Sequence, residues 1–403
     1  MRWQLGLLGL MGLVCLIMGL SAPGAQAQIV YRDKVTTTQL SDGADLIVLG
    51  EVVRIENVGS SDHQGVLIQI EPDRVLKGPE EPGQIQIFNF TRTTGTLSIA
   101  EGEKPLLFLT ALDKSELECA HCDKKGFEVI DLPDGNYYVV RASRWGLLMP
   151  GSVYVDHVAA TIRLKTKGDY SGLKNHWMNG AENPDGRIAL DSVIDLLAEE
   201  KALANIDATD SAAILRLVRT PGDRFRPVDP LVLLAGHTGL PEALASLIDL
   251  ARSPEGPETA VLASSLTLLS VSGVDVASAL EAELASPGAE PAEKERFILV
   301  AASMKERKLT DALIALVATP ELRKSALLAL GDMKDPKALP TLQAGLTGGE
   351  MKFRQAAAVA LAYFGGDGVK AIMEYQKAHP EDDLARFIGE LRRNPARVRG
   401  QVR

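Results

Sequence analysis

Arg323 to Leu346 reads RKSALLALGDMKDPKALPTLQAGL, and Arg354 to Gln376, thirty-one residues further on, reads RQAAAVALAYFGGDGVKAIMEYQ. The two stretches align residue by residue. Arg323 matches Arg354, Ala326 matches Ala357, Ala329-Leu330 matches Ala360-Leu361, and the Asp335-Pro336 turn falls at Gly366-Asp367. Each copy is a helix-turn-helix unit that cannot bury its apolar face alone. Copies must therefore stack, and the expected product is an α-solenoid with an extended surface for binding. The pattern describes an architecture and no chemistry.

Working back toward the N-terminus, the same alternation of short helices continues with drifting phase. If Ala243, Ala279, Ala312 and Ala338 are equivalent, the steps between them are 36, 33 and 26 residues, which suits two short helices per unit and about five units. Alanines at three-residue steps (Ala326, Ala329, Ala357, Ala360) let a neighbouring helix approach, and leucines fill the space between layers. Pro336 suits the first position of a second helix, where a missing N–H costs nothing, and Asp335 before it can cap the free amides. The motif R-x-x-A-x-x-A-L-G followed by D-P-x-A-L-P-x-L resembles the HEAT family in its short form, first associated with bilin lyases. The resemblance covers about Asp229 to Ala378. The earlier copies lack the opening arginine and the Asp-Pro turn.

From Ala44 to about Leu164 the period is two instead. Leu46 to Val53 reads as a strand buried on both faces and then half-solvated. Val66 to Ile70, Ile85 to Phe88, Leu106 to Leu109, Phe127 to Ile130, Tyr137 to Arg141 and Ser152 to Leu164 read as further strands. Turn signals between them point to an antiparallel sandwich or small barrel. The stretches ADLIVLGEVVRI, PDRVLKG and EGEKPLLFL resemble an exported bacterial domain of small Greek-key barrel type, related to OB-fold and netrin-like modules, which implies a fold and no activity. Gly50 would permit tight strand coiling. Between Lys165 and Asp185 both periods fade, which predicts a linker in which His176 and Trp177 dock onto a neighbour. From Leu190 the helical period begins, with Asp191 and Asp195 near the helix start. The expected fold class is α+β multidomain, a small antiparallel Greek-key β-barrel or sandwich followed by an α-α solenoid. The expected boundaries are a signal peptide at 1–27, the β domain at 28–165, a linker at 166–187, the solenoid at 188–394 and a basic tail at 395–403.

The first 27 residues carry a targeting pattern: Arg2, an apolar run from Leu5 to Leu20, and the small-x-small site Ala25-Gln26-Ala27. They predict cleavage after Ala27 and a mature protein in an exported compartment, periplasmic or secreted. The apolar run is shorter than the roughly 20 residues a spanning helix needs. A net charge of −10 over 403 residues, with no basic stripe, argues against a nucleic-acid partner. A protein or envelope partner is expected.

Cys119-Ala120-His121-Cys122 is the one site-like motif. In an oxidising compartment the leading reading is a structural disulfide, with a metal site or a redox pair as the alternatives. No second C-x-x-C accompanies it, and Asp123 stands where haem attachment would need a histidine. The sequence lacks G-x-S-x-G, H-E-x-x-H, a phosphate loop and a dinucleotide fingerprint, so no cofactor and no enzyme activity are expected. The cations Arg392, Arg393, Arg397 and Arg399 near the C-terminus could touch an anionic envelope surface. Exposed positions between the repeat motifs, Lys334, Lys337, Lys352 and Tyr363, are the candidate contact residues. The expected function is an exported, non-enzymatic interaction or scaffolding protein, the alternative being a thiol-redox or metal-dependent activity centred on Cys119 and Cys122.

Overall fold

Leu46, Ile47 and Val48 follow one another in the chain and all are fully buried, which a sheet with one wet face cannot provide. The computed structural model, which describes residues 37–60, 63–90, 99–112, 137–140, 147–148, 151–219, 228–253 and 256–402, shows why. The chain forms two compact units that divide between Ile206 and Asp207. In the first, a short helix α1 (Thr37–Gly43) leads into β1 (Leu46–Ser60), β2 (His63–Lys77), β3 (Ile85–Phe90), β4 (Leu106–Ala111), β5 (Tyr137–Val140) and β6 (Leu147–Leu148). Four helices follow: α2 (Ser152–Thr166), α3 (Tyr170–Ala181), α4 (Gly186–Ala198) and α5 (Glu200–Leu203).

The sheet order is β1-β2-β3-β5-β4-β6, and β4 also pairs back onto β1, so five strands close a ring. Leu46 faces Leu109 and Val48 faces Leu107 across that closure. All pairings are antiparallel except β3 with β5, where Gln86 and Ile87 run parallel to Tyr137 and Tyr138. This corrects the all-antiparallel expectation. A 15-residue strand would span about 50 Å if straight, so β1 must coil to serve both neighbours. It does so through register shifts at Ile47/Val48, Leu49/Gly50 and Val52/Arg54. A Cβ on Gly50 would lie 2.6 Å from the Glu71 carbonyl oxygen, so only glycine fits at the second shift.

Two apolar cores lie on either side of β1. Leu46, Val48 and Val52 pack with Ile68, Ile70, Ile85, Ile87, Leu107 and Leu109 in one. Ile47, Leu106 and Phe108 pack with Ala44 and with Leu40, Tyr154, Val158 and Ile188 of the helices in the other. The double burial of β1 therefore comes from helices laid on the sheet. Those helices include the segment Ser152 to Leu164, which the sequence presents as a strand and which is helix α2. Its valines and threonine favour strand locally, but the buried positions, Tyr154, Val155, His157, Val158 and Thr161, follow the helical period. The stretch read as a linker is likewise helix α3, whose Trp177 is fully buried. Asp195 is not at a helix start either. It sits at the end of α4, fully buried, and accepts the Thr38 amide at 3.2 Å, while Asp185 caps that helix.

The second unit is helical: α6 (Ala208–Arg219), α7 (Val228–His237), α8 (Pro241–Arg252), α9 (Thr259–Val271), α10 (Val276–Ala285), α11 (Pro291–Met304), α12 (Thr310–Leu316), α13 (Arg323–Met333), α14 (Leu339–Ala344), α15 (Met351–Phe364), α16 (Gly366–Ala378), α17 (Asp383–Arg393) and α18 (Pro395–Val402). From α7 to α16 the helices form five pairs. The first helices of successive pairs, α7, α9, α11, α13 and α15, pack on one another, the second helices α8, α10, α12 and α14 pack on the first helix of the following pair, and α16 packs on α15. Ala326, Ala329, Ala356, Ala357 and Ala360 line the α13–α15 contact or its edges and are essentially buried. Replacing Ala357 with Phe should overpack that layer at a cost of about 1–3 kcal/mol. Urea denaturation with an unchanged midpoint would contradict the stacking.

Candidate functional site

The repeat-motif residues spend their polar groups inside the helical unit. Arg323 donates Nε to the Val317 carbonyl oxygen at 2.8 Å, in the loop before its own helix, and its guanidinium lies 4.9 Å from the Phe353 ring centroid in the next layer. Arg354 repeats the device. Its Nε donates to the Leu346 carbonyl oxygen at 2.8 Å, and one Nη donates to both the Tyr375 hydroxyl and an Asp382 carboxylate oxygen at 2.5 Å. Tyr375 in turn donates to Asp382 at 2.7 Å. The other oxygen of Asp382 accepts the Leu384 amide at 2.8 Å and caps α17. That amide, then Arg354 and Tyr375, hold the Asp382 carboxyl down at about 2. Each arginine thus locks a loop and reaches forward to the next layer.

The turn carboxylate has a similar double role. Asp335 accepts the Lys337 amide at 3.1 Å and the Thr310 hydroxyl of the preceding pair at 2.7 Å. Of these two roles only the cap is legible in the sequence. Asp275 accepts the Ser278 amide and Glu306 the Lys308 amide at the equivalent turns, and the signal available was an acidic residue at the turn before three of the five second helices. Arg296 in α11 is a third internal guanidinium, bonded to the Ser253 and Pro257 carbonyl oxygens one layer back.

The four candidate contact residues do not form one constellation. Lys334 ends α13 in a left-handed conformation (φ 54°) and is exposed. Lys337 pairs with Asp311 at 2.9 Å, and Lys352 pairs with Glu350 at 3.0 Å while lying over the Phe353 ring. Lys352 opens α15 and Tyr363 closes it, which separates them by about 16 Å along the helix axis. Tyr363 is also covered, with the Arg399 guanidinium 3.9 Å from its ring centroid.

That contact changes the standing of the basic tail. Arg399 donates to both oxygens of Asp332 at 2.6 and 2.7 Å, Val398 is buried, and α18 packs on α15 and α17. Arg399 is a latch between α18 and α13, whereas Arg392, Arg393 and Arg397 remain exposed. Arg399→Ala should raise amide exchange across 395–402 selectively, and exchange no faster than in the wild type would refute the latch.

Cys119, His121 and Cys122 lie outside the described residues, as do the leader pattern at 1–27 and the strand expected at Phe127 to Ile130. Among the described residues no group of three or more His, Cys, Asp or Glu could hold a metal ion, and no helix is long and apolar enough to cross a membrane.

Stacked helix pairs, loop-locking arginines and capped turns are the features by which a repeat family would be recognised. The family model of HEAT repeats matches residues 277–386. The matched segment runs from α10 into α17, so it takes in the two copies closest to the motif. It also includes the α11–α12 pair, which has the cap without the Asp-Pro sequence. No curated protein matches the sequence. The HEAT-like segment is helical throughout and belongs wholly to the second unit.

Proposed function

We propose that this protein is an exported, non-enzymatic scaffold that holds a protein partner on its HEAT-like solenoid and carries an OB- or netrin-like barrel at its N-terminal side. The observation that carries the reading is the internal use of the motif residues. Arg323, Arg354, Asp335 and Asp382 are all bonded within the repeat stack, so the repeats supply a rigid frame and the outward side chains are left for contact. The barrel reading draws support from the closed β1-β2-β3-β5-β4 ring and the glycine at the β1 bend. The Arg2, Leu5–Leu20 and Ala25-Gln26-Ala27 pattern supports export.

Cross-linking in the envelope fraction followed by affinity capture tests the proposal. Partners should be captured by the full chain and lost when the helical unit is removed. Partners that persist on the β unit alone would place the binding role elsewhere. Loss of an activity on Cys119→Ser alone would instead favour the thiol reading.

A further inference from the structure

α16 has two apolar faces. Gly368, Ala371, Ile372 and Tyr375 are buried at the spacing of a helical stripe. On another flank Val369 and Met373, four residues apart, remain 36% and 47% exposed. Gly366, Lys370 and Lys377 fall on the same flank, because steps of three, four and seven residues share a helix face. α14 already packs against α16 on one side. If the stack continued, the next second helix would cover the other side, but α18 packs on α15 and α17 instead and is held there by Arg399 on Asp332. The uncovered flank opens as a groove of about 610 Å³, with Arg392 of α17 at its edge.

The charge of this groove is opposite to that of the chain. Lys370, Lys377 and Arg392 border it and are exposed, and among the described residues no ion pair engages any of them. Glu374 is the one acid in the lining. A local excess of two positive charges thus surrounds an apolar seam in a protein of net charge −10. Two bare apolar side chains at helical spacing suit an amphipathic helix laid in the groove, and unpaired cations on its rim select for acidic flanks.

We propose that this groove binds an acidic amphipathic helix of a protein partner, its apolar stripe seated on Val369 and Met373 and its flanking carboxylates paired with Lys370, Lys377 and Arg392. The proposal rests on the scaffold reading and deepens it by naming the surface and the class of partner.

The test uses the full chain and a fluorescently labelled synthetic helix with leucines at i, i+3, i+4 and i+7 and glutamates on both flanks. A second helix with lysines in place of the glutamates serves as the control. The glutamate helix should bind in a salt-dependent manner and the lysine helix should not. Lys370→Glu combined with Lys377→Glu should weaken binding by about tenfold or more, and Met373→Asp should do the same. All three side chains are exposed, so matched thermal melts will establish that the variants are folded. Equal binding of the two helices, or variants that bind as the wild type does, would overturn the proposal. So would a wild-type chain that self-associates in sedimentation and becomes monomeric with Met373→Asp, which would make a second copy the occupant. Envelope capture with a variant that combines Lys370→Glu, Met373→Asp and Lys377→Glu separates the two levels. Undiminished capture of the wild-type partners would remove the groove and leave the scaffold role. No capture by the wild type, with the glutamate helix still binding in the expected pattern, would remove the scaffold role and leave the groove as a peptide site.

Discussion

Replacing Gly331 with valine should destabilise the helical unit by about 3 kcal/mol. Gly331 lies in α13 where α15 crosses closest, and an added Cβ would stand 2.5 Å from the Ala360 Cα and 2.6 Å from its carbonyl oxygen. Backbone cannot turn aside as a flexible side chain can, so the two helices would have to separate and loosen the leucines between them. The same device recurs at the first pair, where a Cβ on Gly236 of α7 would lie 2.6 Å from the Ser265 carbonyl oxygen of α9. Gly331→Ala makes the sharper test because two effects oppose each other. Helix propensity alone would favour alanine by about 1 kcal/mol, so a stabilised alanine variant in urea denaturation would refute the close approach. Gly288, with open space around it, is the control, and its alanine variant should stay within about 0.5 kcal/mol of the wild type.

Acid should open the first unit at His157. This ring is 6% exposed, stacks on His176 at 4.5 Å between centroids, and has its Nε2 3.4 Å from the Ser192 hydroxyl. Burial first, and then the neighbouring His176, lower its pKa to about 4 from the usual 6.5. The unfolded chain therefore takes up a proton near 6.5 that the folded chain refuses until about 4. The stabilisation is complete above 6.5 and is lost as the pH falls through that window, reaching about 3 kcal/mol below it. Burial lowers the His176 pKa as well, so it acts in the same direction. Stability measured from pH 7 to pH 4 should fall steeply in the wild type and less steeply in His157→Gln. Because carboxylates also contribute to acid lability, the difference in slope is the result that counts. Identical slopes would show that His157 is not the group that titrates.

The two repeats were legible because their residues do local work. Pro336 and Asp335 start a helix, small residues recur on one face, and each of these needs only neighbours within the same unit. Asp275 and Glu306 were passed over because a lone carboxylate before a helix is common in any sequence, and its role shows only when the turns are superposed. Ser152 to Leu164 was misread because its β-branched residues carry a local preference that tertiary packing overrode. Tyr363 and Arg399 are 36 positions apart in the chain, and nothing in the spelling of either predicts that one guanidinium would cover the other ring.

Residue order alone therefore determined the α+β class, the helical repeat and its HEAT-like character, since periodicity and turn chemistry are properties of short stretches. The tertiary structure decided the ring closure of β4 onto β1, the transfer of residues 152–181 from strand and linker to helices of the first unit, and the return of α18 onto α15 and α17. Those outcomes depend on which apolar faces meet across long separations. Such meetings minimise exposed surface for each unit as a whole and leave little local trace. The groove on α16 goes with the last of them, because α18 returns onto α15 and α17, where Val398 is buried and Arg399 binds Asp332.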